Sequence, residues 1–207
     1  MTLVALVSIS FVLFYFSINT TTLTQAHCLP EQHHSLIQLK QCFNTTKLNS
    51  WNVSTDCCIW DGIKCDEQTG MVTALNLAHM FISGELNPAY LNLRLLHYLN
   101  LSRNLIDNVI LPQTGFERLG LRTLLSNVTK LQFLRLDGVD ISLNGSEWGK
   151  AVLQVGPTLR ELLMVDCGLI GNFPDEIFHF TNITYLDLSY NSMLLGQLSE
   201  FTKLSLL

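Results

Sequence analysis

A leucine pattern that recurs at a nearly fixed interval constrains this chain more than any other feature of its sequence. The template is L-x-x-L-x-L-x-x-[N/C]-x-L, where x is any residue. LHYLNLSRNLI, LRELLMVDCGL and ITYLDLSYNSM match it well, whereas VTALNLAHMFI and LQFLRLDGVDI have apolar residues at the polar position. The five copies are 24, 35, 28 and 24 residues apart, and they begin at Val72, Leu96, Leu131, Leu159 and Ile183. A further copy would begin at Leu207.

This spacing predicts a coil for each copy. The alternating L-x-L segment has the period of a strand, so its leucines point inward and the residues between them point outward. The Asn or Cys that follows, as at Cys167, turns the chain. One coil cannot bury its own leucines, but a stack of coils forms a continuous core. We therefore predict an α/β solenoid with a short parallel sheet on its concave face, spanning residues 72–207.

The two longer intervals predict insertions into loops on the convex side. An ordinary α/β domain rich in leucine is the alternative, but it predicts no fixed register. A helical array fits poorly as well, because L-x-L places its leucines on different faces of a helix.

The N-terminal segment has the features of a signal peptide. Leu3 to Phe16 is almost entirely apolar, a polar stretch follows, and Ala26 is a small residue suited to cleavage. We expect residues 1–26 to be removed, with an uncleaved signal anchor as the alternative. No later segment has the apolar length of a transmembrane helix, so a membrane anchor would lie beyond Leu207.

Glycosylation signals support the same secretory route. Six asparagines open N-x-[S/T] sequons, and together they predict an extracellular glycoprotein: Asn44, Asn52, Asn100, Asn127, Asn144 and Asn182.

Residues 27–71 break the leucine pattern and are predicted to cap the first coil. The segment from Glu31 to Phe43 has the apolar spacing of a helix. Trp51, the pair Cys57-Cys58, Trp60 and Cys65 follow a polar loop. A solenoid needs such a cover because its first coil would otherwise expose its leucines.

The stretch SWNVSTDCCIWDGIKCDEQTGMVTALNL resembles the N-terminal cap of plant leucine-rich-repeat receptor-like proteins and receptor-like kinases. The G-x-x-P element that ends at Pro174 resembles an extra turn in those repeats. LRLDGVDIS, which begins at Leu134, is similar to receptor-like proteins of the disease-resistance type. The resemblance covers essentially all of the chain from Cys28 onward.

The chain has six cysteines, and four of them allow three pairings. The resemblance implies the bridges Cys28–Cys57 and Cys58–Cys65. Cys167 is explained as the turn residue of its repeat. Helix packing is the favoured explanation of Cys42, with a redox or intermolecular role as the alternative. A zinc site built from Cys57, Cys58, Cys65 and nearby histidines is disfavoured, since the compartment is oxidising and C-x-x-C spacing is missing.

Composition and motifs argue against several functions. The net charge is −5 and the sequence has no run of Lys or Arg, so a nucleic-acid partner is not expected. Hydrolase, kinase and phosphate-binding signatures are missing from the sequence, and no nucleophile is paired with a base. We expect neither catalysis nor a catalytic or structural metal, and no cofactor.

The register predicts which residues project from the concave sheet. Aromatic and apolar side chains there would provide much of an interface's binding energy. Tyr98, Phe133, Leu163 and Tyr185 are predicted to share one column, although a merely tolerated row of exposed residues is an equal alternative. The predicted binding residues are Tyr98, Phe133, Arg135, Glu161, Leu163, Tyr185 and Asp187. A glycan on Asn100 would obstruct this face.

The resemblance implies a ligand-binding ectodomain with an extracellular protein, peptide or glycan as ligand and a co-receptor kinase as possible partner. Its location would be the cell surface or the extracellular space, with a role in defence or signalling. A secreted inhibitor of cell-wall-degrading enzymes and a truncated product without independent function are the alternatives.

Overall fold

The computed structural model describes residues 26–84, 92–106, 121–141 and 145–196. The predicted signal peptide up to Gln25, the sequon at Asn144 and the copy expected at Leu207 lie outside these residues. Within the described part of the chain, no helix combines the length and apolar character that crossing a membrane requires.

A six-stranded sheet forms the concave face and confirms the solenoid. Strands β3, β5, β7, β8 and β10 are parallel and lie side by side in chain order, one for each predicted copy. They span Val72–Asn76, Tyr98–Asn100, Phe133–Arg135, Glu161–Leu163 and Tyr185–Asp187. Strand β2, Ile63–Cys65, belongs to the cap and extends the sheet as an antiparallel edge.

Shorter strands lie outside the concave sheet. β1 (Phe43–Asn44) pairs with β4 (Ser83–Gly84), which pairs with β6 (Leu105–Ile106). β9 (Ile170–Asn172) pairs in parallel with β11 (Met193–Leu195). The G-x-x-P element thus begins within β9 and leads into the short 3-10 helix Asp175–His179.

The helices of the solenoid come from the two longer intervals, as predicted for insertions. α2 (Leu121–Leu125) precedes β7, and α3 (Gly145–Leu153) precedes β8. The two helices pack against each other, and α3 also contacts β9. The inserted residues therefore add a layer outside the concave sheet and leave the register of its strands intact.

The inward leucines form one continuous core. Leu75, Leu99, Leu134 and Leu162 occupy equivalent positions on neighbouring strands and are fully buried. Burying a side chain of this size stabilises the fold by about 1.5–3 kcal/mol. The stack therefore depends on contacts between coils, since each leucine is covered by the coil beside it.

Buried asparagines satisfy the backbone where two of the coils turn. Asn104 donates from Nδ2 to the carbonyls of Leu77 and Leu101, each at 2.8 Å, and its Oδ1 accepts from the Ile82 amide at 3.0 Å. Asn191 repeats the arrangement with the carbonyls of Met164 and Leu188. Each asparagine therefore links its own coil to the preceding one.

Cys167 occupies the same turn position, as predicted. Its Sγ donates to the Leu136 carbonyl at 3.1 Å, and burial raises the pKa of its thiol to about 12. A thiol held in its protonated form at neutral pH is suited to this structural role rather than to redox chemistry.

Met193 differs from the residues at the last template position of other copies, since Ile82, Ile106 and Leu169 are buried there. Met193 is 65% exposed, whereas its neighbour Leu194 packs against the core. The amide of Leu194 donates to the carbonyl of Asn191, and this turn shifts the inward position by one residue.

The cap begins with α1, Pro30–Gln41, slightly shorter than the predicted helix. Pro30 begins it because a proline's fixed φ suits the first turn. Phe43 lies beyond the helix in β1, but its side chain is still buried. The side chain of Gln32 accepts from the Val72 amide at 2.8 Å and donates to the Asn92 carbonyl at 3.3 Å. The helix is thereby fixed to the first coils.

The two bridges implied by the resemblance are confirmed. Cys28–Cys57 and Cys58–Cys65 join residues whose Cα atoms lie 5.5 and 5.4 Å apart. Cys42 takes part in neither. In the same cap, the rings of Trp51 and Trp60 are buried and stack on each other, with centroids 5.4 Å apart.

Asp56 connects the chain segments that carry the bridges. Its Oδ1 accepts from the amides of Cys28 and Cys58 at 3.1 and 2.9 Å, and its Oδ2 lies 2.6 Å from Nδ1 of His27. Partial burial acts to raise the pKa of Asp56, but these hydrogen bonds outweigh it, so the pKa is lowered.

We predict that Asn104→Ala lowers the free energy of unfolding by about 3 kcal/mol, because it leaves two carbonyls and one amide in the interior without partners. Asn172→Ala, at an exposed position, is the control. Urea denaturation measures both variants, and equal losses would contradict the proposed bridging role of Asn104.

A second prediction concerns pH and Asp56→Asn. Because folding lowers the pKa of Asp56, its ionised form contributes stability above the unfolded value of about 3.9. That contribution is lost as the pH falls through the folded value. Urea denaturation from neutral pH to about pH 2 should show the wild type losing its advantage over Asp56→Asn below about pH 4. The exposed control is Glu67→Gln. The prediction would be contradicted if the stability difference between the wild type and Asp56→Asn did not change with pH, or if Glu67→Gln gave an equally large difference.

Candidate ligand-binding surface

Three columns of side chains project from the concave sheet. The first contains Ala74, Tyr98, Phe133, Glu161 and Tyr185. The second contains Asn76, Asn100, Arg135, Leu163 and Asp187. The third column is aligned by backbone hydrogen bonds between neighbouring coils, and it contains Ala78, Ser102, Asp137, Val165 and Ser189.

The predicted aromatic column is wrong at one position. Glu161 lies between Phe133 and Tyr185, and Leu163 lies in the second column between Arg135 and Asp187. The error has a simple cause: Leu163 is two residues further along its copy than the other members, so it belongs to the next outward position. A carboxylate therefore interrupts the aromatic column.

Arg135 and Glu161 form an ion pair across neighbouring strands. Nη2 of Arg135 lies 2.6 Å from Oε2 of Glu161, and their side chains are 35% and 24% exposed. The hydrogen bond to Glu161 is the main reason why the pKa of Arg135 is raised, so the guanidinium stays charged. Its Nε is covered and has no hydrogen-bond partner within the described part of the chain.

Two aromatic rings pack beside this ion pair. The guanidinium of Arg135 lies 5.7 Å from the ring centroid of Tyr98, and the rings of Tyr98 and Phe133 are 6.0 Å apart. Tyr185 is 53% exposed at the other end of the column. We call Tyr98, Phe133, Arg135, Glu161 and Tyr185 the concave cluster.

Acidic side chains border the concave cluster. Asp137 bridges coils, because its Oδ2 lies 3.1 Å from the Ser102 hydroxyl and its Oδ1 accepts from the Val165 amide at 3.1 Å. Hydrogen bonds from the side chain and amide of Ser189 lower the pKa of Asp187. The predicted binding residue Asp187 is therefore a carboxylate at neutral pH, two residues from Tyr185 on the same strand.

The sequons fall into two groups. Asn44, Asn52, Asn127 and Asn182 are exposed, as an acceptor asparagine must be. Asn100 is on the concave side but only 7% exposed, and its Nδ2 donates to the Tyr98 hydroxyl at 3.0 Å.

In the cap, four side chains have atoms that could in principle coordinate a metal ion and that lie within 4.8 Å of one another: Cys28, Asp56, Cys57 and Cys58. The three sulfurs belong to the two disulfides, so none is a thiolate that could bind zinc. This cluster stabilises the cap and provides no metal site.

Comparison with known proteins agrees with the fold. Residues 29–66 match the leucine rich repeat N-terminal domain. The BIR2 ectodomain of Arabidopsis thaliana superposes with a TM-score of 0.62 at 20% identity, covering 83% of this chain and 84% of that one. The BIR3–SERK2 complex from the same plant gives a TM-score of 0.60 at 22% identity, covering 78% and 82%. The fold and cap thus define a leucine-rich-repeat protein.

Within that class, the chain is similar to plant receptor-like proteins. Receptor-like protein 7 of Arabidopsis thaliana is 38% identical over 113 residues, which cover 51% of this chain and 12% of the relative. Receptor-like protein 9DC1 of Solanum pimpinellifolium is 30% identical over 184 residues, covering 70% and 21%. The predicted resemblance is confirmed. The chain spans at most a quarter of the length of each of the first three relatives.

We predict that Glu161→Gln and Arg135→Ala each change the free energy of unfolding by less than about 1 kcal/mol, since the ion pair is partly exposed to solvent. Thermal and urea denaturation would measure the change. A loss of several kcal/mol would contradict this prediction and show that the pair stabilises the fold instead of being available to a ligand.

Proposed function

We propose that this chain is a ligand-binding portion of a plant receptor-like protein and that its ligand binds across the concave cluster. The observation that carries the proposal is the cluster itself. It combines two partly exposed aromatic rings, an exposed tyrosine and a charged pair on a sheet whose other outward residues are mostly small or polar.

The concave cluster is held in place by contacts of its own residues. Strands beneath it fix each Cα, and Tyr98 is further restrained by Asn100, Phe133 and Arg135. Side chains that are already ordered lose little conformational entropy when a partner binds. Tyr and Arg are also the residues that most often dominate binding energy in interfaces.

The chemistry of the cluster favours an extended peptide or a protein loop over a highly charged ligand. An apolar side chain of the ligand would contact Phe133 and Tyr185, and an acceptor group would compete with Glu161 for Arg135. Asp187 would attract a ligand amine or guanidinium. An anionic polymer would be repelled by the carboxylates, which agrees with the net charge of −5.

The proposed activity is binding without catalysis and without a cofactor. The cluster contains a base, Glu161, but Arg135 occupies its Oε2. Ser102 pairs with Asp137 directly, without an imidazole that would activate the hydroxyl.

We further propose that the protein reaches the cell surface or extracellular space, acts in defence or signalling, and works with a receptor kinase as partner. The apolar N-terminal segment, the sequons and the disulfides support a secretory route. Fold neighbours include the ectodomain of the receptor kinase SOBIR1, at a TM-score of 0.56, and that of the plant membrane receptor kinase GASSHO1/SCHENGEN3 in complex with CASPARIAN STRIP INTEGRITY FACTOR 2, at a TM-score of 0.53. They support partners of this kind.

The test selects peptides from a random linear phage-display library on the secreted protein and measures their dissociation constants with variants. Phe133→Ala and Tyr185→Ala should weaken binding by about tenfold or more, the effect of removing a central aromatic contact. Phe81→Ala is the matched control, because Phe81 is 70% exposed but lies outside the concave sheet.

Peptides that bind both concave variants as tightly as the wild type would contradict the proposed surface. Weakening by Phe81→Ala alone would place binding on another face.

A further inference from the structure

Asn100 has a sequon but not the surroundings of a glycosylation site. The sequon consists of Asn100, Leu101 and Ser102, and all three residues are buried. Asn100 lies between Asn76 and Arg135 on the neighbouring strands, and adjacent strands of a sheet are about 4.8 Å apart. Asn100 is only 7% exposed, so little of its side chain is accessible for a sugar to be attached.

Both ends of the Asn100 amide already have partners. Nδ2, the atom to which a glycan would be attached, donates to the Tyr98 hydroxyl at 3.0 Å. Oδ1 accepts from the Ser102 amide at 3.0 Å. The Ser102 hydroxyl, which the glycosylating enzyme must recognise, lies 3.1 Å from Oδ2 of Asp137. The fold thus uses each polar group that the sequon requires.

We infer that Asn100 is not glycosylated in the folded protein and acts instead as a positioning residue for Tyr98. The glycans are carried instead by exposed sequons, with Asn44, Asn52 and Asn127 as the expected sites. Asn182 is also exposed, but its Nδ2 donates to the Pro157 carbonyl at 2.6 Å. A glycan attached to Asn100 before folding would have to fit where Asn100, Leu101 and Ser102 are buried, so a chain that carries it does not reach the native state.

The consequence is a concave face without glycan. Through its hydroxyl, Asn100 fixes the tyrosine ring that lies beside the guanidinium of Arg135 and the ring of Phe133. The inference rests on the secretory route of the proposed function but not on the nature of the ligand.

The test expresses the full chain in plant cells and compares the masses of the secreted wild type, Asn100→Gln and Asn127→Gln. Asn127 is the matched control, since its sequon asparagine is exposed and lies just before the coil that begins at Leu131. We expect Asn127→Gln to lose the mass of one glycan and Asn100→Gln to keep the wild-type glycan mass. Loss of one glycan from both variants would overturn the inference. Absence of glycan from every variant would instead contradict the secretory route.

The positioning role has its own readout, which a merely buried asparagine would not give. In enzymatically deglycosylated protein, Tyr98→Phe should raise the unfolding equilibrium constant by about fivefold, the effect of losing one hydrogen bond. In the Asn100→Ala background the same substitution should have no further effect, because the partner of the hydroxyl is already gone. Equal effects in both backgrounds would overturn the positioning role.

Discussion

The structure depends on the contact between one coil and the next. Inward leucines of neighbouring coils belong to one buried core, and Asn104 and Asn191 bond backbone carbonyls of their own coil and the preceding one. Packing and hydrogen bonding therefore share one geometry, in which strands stay parallel and in register. The cap extends that geometry at one end, where Gln32 bonds Val72 and β2 pairs with β3.

The same constraint creates the candidate site. Because the register is fixed, residues from distant parts of the sequence come together: Tyr98, Phe133 and Glu161 occupy one column although 63 residues separate the first from the last. Arg135 reaches Glu161 and Tyr98 from the adjacent column. A surface of this kind is ordered before a ligand arrives, and its chemistry changes when outward residues change while the leucine core stays the same.

Much of this could be predicted from sequence because the leucine period determines both strand positions and outward residues. The solenoid, five coil strands and Cys167 at a turn followed from that period, and the resemblance supplied the bridges. The prediction failed at Leu163, which was assigned to the wrong column. The pattern also does not encode the turn at Asn191, which leaves Met193 exposed. The Arg135–Glu161 pair and the burial of Asn100 depend on side-chain packing between strands, which the leucine period does not encode.

The most direct test of the central claim is photo-crosslinking with p-benzoylphenylalanine in place of single exposed residues. Tyr185 reports on the concave cluster, and Leu195, which is 62% exposed on β11, reports on a surface outside the concave sheet. The protein is irradiated in extracellular fluid from elicited plant tissue, and adducts are identified by mass spectrometry. Ligand binding to the concave cluster predicts an adduct at position 185 and none at 195. An adduct at 195 without one at 185 would contradict it.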